Sequence, residues 1–233
     1  MVPLMVGVAT LVALGLASLW AYWRFHYFFR DPEREIPSGS NVVAPADGTV
    51  VYAHQVEAGQ LPISVKNGKA IRLEEITKAE VPRGRLWHIG IFMSLFDVHV
   101  NRIPVTGTIA FAQHHKHESL SMSWMGIRSI LGLRPLYQDA LHITENERYT
   151  ILINGEFPVY VVQIADAYVN RISCCVGTGD EVSKGQRFGR IAMGSQVDLV
   201  FPDERGMRVA VKVGQHVKAG ESIVAHYGAG STA

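Results

Sequence analysis

Gly194 and Ser195 interrupt a run that otherwise reads as a strand. Residues 185–202 are GQRFGRIAMGSQVDLVFP, in which Val197, Leu199 and Phe201 alternate with other residues. Glycine weakens a strand interior and commonly marks a bulge or a close backbone approach. Taken alone, the pair is most simply a bulge or tight turn. Two further polar groups change the weighing. Within residues 94–104, Asp97, His99 and Asn101 recur at period two and would share one strand face, with Val98 and Val100 on the other. A buried, unpaired polar row is expensive, so that face is either wet or lines a site. In the segment APADG, Asp47 precedes a glycine and a strand, the ordinary position of a turn aspartate. Together these residues supply an acid, an imidazole and a hydroxyl beside a glycine carbonyl.

The elements that must position them read as β structure. From Asn41 onward, period-two alternation with Gly and Pro punctuation predicts an antiparallel domain. Strands are expected over residues 49–55, 70–75, 86–93, 107–112, 149–154, 159–164 and 171–176. Two later runs, GDEVSKGQRFG from Gly179 and VGQHVKAGESI from Val213, share the pattern Gly-x-x-Val-x-x-Gly. Such hairpins recur in biotinyl- and lipoyl-type flattened barrels, which speaks to fold and not to function. The expected class is therefore mainly β, an antiparallel flattened barrel or sandwich with lipoyl-like hairpins, plus one N-terminal membrane helix. Residues 118–131 form the one helical pattern after that helix, either a short amphipathic helix or a loop ordered at the membrane, with Gly126, Gly132 and Pro135 opposing a long one.

Residues 2–23 carry no charged side chain and are long enough to cross a hydrocarbon core of roughly 30 Å. Trp20, Tyr22 and Trp23 collect at the C-terminal end, and Arg24, Arg30 and Arg34 follow. The basic bias places the following domain on the cytoplasmic side. A cleaved signal peptide would want a basic leader and a shorter apolar core. Both a spanning and an in-plane or re-entrant anchor fit the pattern. Residues 1–24 are thus assigned to an anchor, 25–40 to a juxtamembrane connector with Phe28 and Phe29 at headgroup level, and 41–233 to the remaining domain.

Net charge is +1 over 233 residues, and the basic residues form no nucleic-acid footprint. Cys174 and Cys175 are adjacent and lack CxxC spacing, so neither a disulfide framework nor a zinc site is expected. They are expected in a strand as small buried side chains.

At this point the motifs converge. FFRDPER, APADG, FMSLFDVHVNRIPVTG, ENER at 145–148 and KGQRFGRIAMGS occur in order, and this chain resembles the short, membrane-anchored form of the phosphatidylserine decarboxylase family. The likeness spans roughly Phe28 to Pro202. It implies a proenzyme that cuts its own backbone between Gly194 and Ser195. The products would be a β chain, 1–194, and an α chain, 195–233, with Ser195 converted to an N-terminal pyruvoyl group. That group is the implied cofactor, with no metal, and it forms a Schiff base with the serine amine of the lipid. Glycine before the serine leaves the scissile carbonyl sterically open.

Residue by residue, the resemblance assigns Asp47 to processing and His99 to decarboxylation as proton donor, with processing base as a second role. Longer members carry another histidine where this chain has Arg102, so a complete Asp–His–Ser triad does not transfer. Either His99 serves both steps or another group activates Ser195. Arg102 and Arg148 are candidates for the lipid phosphate, because guanidinium pairs with it bidentately, or equally for ordinary ion pairs, and Lys116 is a further candidate for the phosphate beside the histidine cluster. The His114–His117 cluster is expected to be a solvated or headgroup-facing loop and not a metal site. The implied partners are phosphatidylserine, or an analogue such as archaetidylserine, and membrane lipid. A higher homo-oligomer is compatible with the likeness and not specified by it.

A different class of function, a non-enzymatic membrane-anchored adaptor on a lipoyl-like barrel, would want a long helical hairpin that this sequence lacks. It also leaves the row Asp97, His99, Asn101 without purpose. A carrier domain would need an exposed hairpin-tip lysine, and Lys184 and Lys218 lack the flanking signature.

Overall fold

Short alternating runs separated by glycines cannot bury both faces alone, so they pair. The computed structural model describes residues 2–57, 73–116, 121–122, 128, 145–166, 172–191 and 195–228. Helix α1 (Val2–Tyr22) continues into a π-helical turn, Trp23–Tyr27. There follow β1 (Asn41–Val43), β2 (Gly48–Glu57), α2 (Leu73–Thr77), β3 (Arg85–Met93), β4 (Val100–Arg102) and β5 (Gly107–His115). Next come β6 (Arg148–Asn154), β7 (Pro158–Ala165), β8 (Ile172–Cys174), β9 (Glu181–Val182) and β10 (Arg187–Ile191). The chain closes with β11 (Ser195–Pro202), β12 (Arg208–Val209), β13 (His216–Val217) and β14 (Ile223–His226).

The main sheet has eight strands in the order β13-β2-β3-β11-β7-β6-β5-β9, all antiparallel, and curls into a half-barrel. Two three-stranded sheets, β4-β10-β8 and β1-β14-β12, complete the domain. The mainly β class expected from alternation holds. The two Gly-x-x-Val-x-x-Gly runs supply β9 and β13, the opposite edges of the main sheet. Their glycines take left-handed backbone: φ is +97° at Gly179, +83° at Gly185, +85° at Gly214 and +78° at Gly220.

Strand β11 lies at the centre, between β3 and β7, and every residue in it is buried. Its two faces meet different cores. Val197, Leu199 and Phe201 join the larger core with Ile89, Ile91, Val159 and Val161. Val200 joins a second core with Tyr52, Leu86, Val162 and Ile164. Each fully buried aliphatic or aromatic side chain contributes about 1.5–3 kcal/mol, which makes the strand that begins with Ser195 a firmly held element.

Several expectations are corrected. Residues 73–75 begin helix α2 and not a strand, and 70–72 lie outside the described residues. Asp97 and His99 are not in a strand: they sit in the turn between β3 and β4, which starts only at Val100. The turn forms because Asp97 folds back on Ser94, accepting from its backbone N–H and its hydroxyl, both at 2.7 Å. His114 and His115 extend β5 and do not form a loop, while His117 and most of 118–131 lie outside the described residues. Cys174 is half-buried at the end of β8, and Cys175 is exposed because the strand has already ended. Phe28 is no headgroup contact, being only 1% exposed.

Helix α1 is apolar and outward-facing, and Pro3–Tyr27 is long and apolar enough to cross a membrane. The connector after it is strapped to the domain by ion pairs. Asp31 bridges Arg102 (3.2 Å) and Arg187 (2.6 Å), and Arg34 meets Asp47 (2.8 Å).

Candidate active site

Ser195 opens β11, fully buried, in register with Met93 on one side and Ala165 on the other. Its hydroxyl donates to the Met93 thioether at 3.3 Å, a weak acceptor. Asn101 reaches the same sulfur from β4, its side-chain N–H at 3.8 Å, and is itself held by Gln163, whose amide donates to the Asn101 oxygen at 2.7 Å. The Met93 side chain is therefore where Ser195 and Asn101 converge. Gly194 lies outside the described residues.

His99 is 1% exposed. Its Nδ1 lies 2.9 Å from the Asp97 backbone carbonyl, which only accepts, so Nδ1 carries the proton. Nε2 is buried with no partner among the described residues. Burial drives the imidazole pKa down to about 4 against the upward pull of the Asp97 carbonyl and carboxylate, and the Arg30 charge adds to the lowering. The ring is thus neutral near pH 7, with a desolvated lone pair on Nε2. Its packing partner is Phe28, with ring centroids 4.2 Å apart. The turn reaches β10 as well, through Ile191 N–H donating to the His99 carbonyl at 3.3 Å. Residue 191 is the last described position before Ser195.

Asp97 does not share a face with His99 and Asn101 but acts as a hub. Besides Ser94, it accepts from His216 Nε2 at 2.7 Å. Burial pushes the Asp97 carboxyl up, yet the hydrogen bonds from His216 and Ser94 outweigh it and hold it below its ordinary range. That same bond raises His216. Asp47 is buried and receives three bonds: two from Arg34 (3.0 and 2.8 Å) and one from the Ala219 backbone N–H (2.7 Å). It ties the connector to the C-terminal segment.

The two candidate phosphate arginines face inward. Arg102 donates to the Gly185 carbonyl (3.0 Å), the Pro32 carbonyl (3.0 Å) and Asp31. Arg148, 1% exposed, donates to the carbonyls of Asn146, Glu75 and Ile76. Burial lowers its pKa to about 10, offset in part by Asp198. Lys116 is exposed. His114 donates to or accepts a proton from Glu147 at 2.6 Å, and no metal-holding group of His, Cys, Asp and Glu occurs among the described residues.

Sequence reasoning missed a polar network on the other face of β11. Asp198 accepts from the Tyr52 hydroxyl (2.7 Å), His88 Nε2 (2.8 Å) and the Gln196 amide (2.7 Å), all fully or nearly fully buried. Gln196 also donates to the Tyr52 hydroxyl at 2.6 Å. Gly90 makes room for it, since a Cβ there would lie 2.3 Å from the Tyr52 ring. The available signal was Gln196 and Asp198 alternating with apolar residues in a run too hydrophobic to have a wet face.

The phosphatidylserine decarboxylase family model matches residues 21–225. A phosphatidylserine decarboxylase proenzyme of Nitratidesulfovibrio vulgaris is 34% identical, over 94% of this chain and 90% of its own length. One from Chlorobium phaeovibrioides is 35% identical over 97% and 84%. A Methanocaldococcus jannaschii protein, provisionally named an archaetidylserine decarboxylase proenzyme, is 36% identical over 85% and 87%. With relatives of this kind covering most of both lengths, the chain belongs to the phosphatidylserine decarboxylase family and is a decarboxylase.

Proposed function

We propose that this chain is a self-processing, pyruvoyl-dependent decarboxylase of phosphatidylserine or of an archaeal-type analogue. The observation that carries the reading is the presence of two buried groups without strong partners among the described residues: the Ser195 hydroxyl, which meets a thioether, and His99 Nε2, which meets none. Fully paired groups would suit a structural role, whereas a desolvated base and a weakly held hydroxyl suit proton transfer.

In processing, the Ser195 hydroxyl oxygen attacks the Gly194 carbonyl carbon and the peptide C–N bond breaks, leaving an ester and a free amine. His99 Nε2 takes the hydroxyl proton and returns it to the amine. Loss of the Ser195 α-proton and departure of the Gly194 carboxylate give a terminal dehydroalanine. Water then replaces its nitrogen, releasing ammonia and leaving the pyruvoyl group on residue 195. The site fits such a group, because residue 195 is dry and framed by Met93 and Asn101.

Once formed, the pyruvoyl ketone supplies the electron sink for the carboxylate's departing electron pair. Around it, Asn101 is oriented by Gln163 and donates to the Met93 sulfur that also accepts from Ser195. His99, neutral at rest, accepts a proton on Nε2 and delivers it to the substrate's α-carbon. Phe28 keeps water from that nitrogen. Asp97 positions His99 through its carbonyl, and Asp47 acts on processing indirectly by holding the connector and the C-terminal segment together. The apolar helix and the arginines after it support a location at the cytoplasmic membrane face, with the domain taken as 41–233.

The test is the intact mass of purified protein. Two fragments divided between 194 and 195, the smaller blocked by pyruvoyl, support the reading. A single 25.7 kDa species that still forms the ethanolamine lipid overturns it.

A further inference from the structure

Of the arginines near the foot of α1, Arg30 is engaged. It donates to the Tyr27 carbonyl at 2.9 Å and to the Phe96 carbonyl, and lies over the Tyr27 ring. Arg24 and Arg190 differ. Neither meets a carboxylate among the described residues, and Arg24 Nη1 is buried with no hydrogen-bond partner. Both guanidinium carbons approach the same ring, Phe29, at 4.9 Å for Arg24 and 5.1 Å for Arg190. Arg24 belongs to the membrane helix's last turn, and Arg190 to β10. The latter pairs with Val100, one residue after His99.

Two like charges sharing one aromatic ring repel each other, and a desolvated guanidinium N–H without an acceptor is costly. An anion between them would relieve both. The same helix end lines an apolar groove of about 510 Å³ with Leu16, Leu19, Trp20, Trp23, Leu95 and Phe96. That volume lies within the roughly 300–1,000 Å³ range of small-molecule sites. Leu95 and Phe96 sit in the turn that also carries Asp97 and His99, and are exposed. Cationic pair and apolar groove together match one amphiphile.

We propose that Arg24 and Arg190 clamp the phosphodiester of the substrate glycerophospholipid while an acyl chain occupies the Leu95–Phe96 groove. This rests on the proposed lipid decarboxylation and names the residues that hold the lipid's phosphate. It assigns the phosphate to guanidiniums with no hydrogen-bond acceptor among the described residues, unlike those of Arg102 and Arg148, which already have backbone partners.

The test uses the full chain as Ser195→Ala in neutral detergent, titrated with dihexanoyl phosphatidylglycerol, which has the phosphodiester but no amine. Dihexanoylglycerol, lacking phosphate, is the control. Adding Arg24→Gln and Arg190→Gln together should weaken phosphatidylglycerol binding about tenfold or more, as expected for lost charge-assisted bonds. Binding of dihexanoylglycerol should not change, and the double lysine variant should recover part of the loss. Unchanged phosphatidylglycerol affinity overturns the clamp. So does a loss confined to adsorption on anionic vesicles, which would make the pair a contact for bulk lipid. In processed enzyme, KM for dihexanoyl phosphatidylserine should rise about as much, with kcat within about twofold; a fall in kcat at constant KM also overturns the proposal. If the wild type binds the probe as described yet releases no carbon dioxide from dihexanoyl phosphatidylserine, the clamp stands and the decarboxylation reading falls.

Discussion

The His99 imidazole lies against Phe28, centroid to centroid 4.2 Å, so a residue just after the apolar N-terminal helix dries the one buried histidine of the β3–β4 turn. Attachment to the apolar helix and tuning of the candidate base are thereby physically coupled.

Phe28→Ala should hydrate that ring. Burial is the main cause holding the His99 pKa near 4, so the variant's value should rise toward the ordinary 6.5. Proton acceptance needs the neutral ring. The acid limb of the processing-rate profile should therefore move to higher pH, and processing at pH 5 should fall while that at pH 8 is largely kept. Time courses of cleavage across pH measure this, and coincident profiles would remove Phe28 from the tuning. His99→Ala should abolish or strongly slow cleavage at every pH.

Arg102 holds the connector through Asp31 and two carbonyls. Arg102→Ala should destabilise the protein by about 2 kcal/mol or more, as for lost hydrogen bonds to a charged group. Thermal melting of the Ser195→Ala background reads this without interference from cleavage. A melting point equal to that of the parent would mean the connector is held by other contacts.

For Asp47, two origins of a processing defect separate cleanly. Acting through the Arg34 latch, Asp47→Asn and Arg34→Gln should slow cleavage to a similar degree, because each breaks the same 2.8 Å pair. Direct participation of Asp47 would leave Arg34→Gln near wild type. Comparing the two cleavage rates decides it.

The His216–Asp97 pair sets a pH window. His216 is raised in the folded state, so its contribution is complete below the ordinary histidine value of about 6.5 and is lost as pH rises through the folded value. Asp97 is lowered, so its share is complete above about 3.9 and is lost as pH falls through its folded value. The stability of wild type relative to His216→Asn should thus be largest near pH 5–6 and shrink above neutrality. Denaturant melts of both proteins at pH 5.5 and 8.5 test this, and a difference independent of pH would refute it.

Tyr52→Phe removes the hydroxyl that joins Asp198 to Gln196. Leaving these buried groups short of a partner should cost about 1–3 kcal/mol. Since β11 begins with Ser195, slower cleavage should accompany the loss of stability. Unfolding and cleavage assays on the one variant check both effects.

The sequence by itself determined the apolar helix, the β class and the strand alternation of Val197, Leu199 and Phe201, because each follows from periodicity along the chain. It also picked out Gly194-Ser195, His99 and Asp47 through ordered motifs. What it could not carry was which polar groups meet which, since pairing depends on residues far apart in the chain. Alternation placed Asp97, His99 and Asn101 on one strand face, whereas the Ser94–Asp97 bonds close a turn there and send the three side chains to different partners. Local sequence likewise offered Arg102 and Arg148 either to the lipid phosphate or to ordinary ion pairs. Only the tertiary structure decided that their charges are spent on the connector and on buried carbonyls, because desolvating a guanidinium is tolerable only where acceptors surround it. The same packing brought Met93 under Ser195 and Phe28 over His99, two contacts between segments that no spacing rule connects.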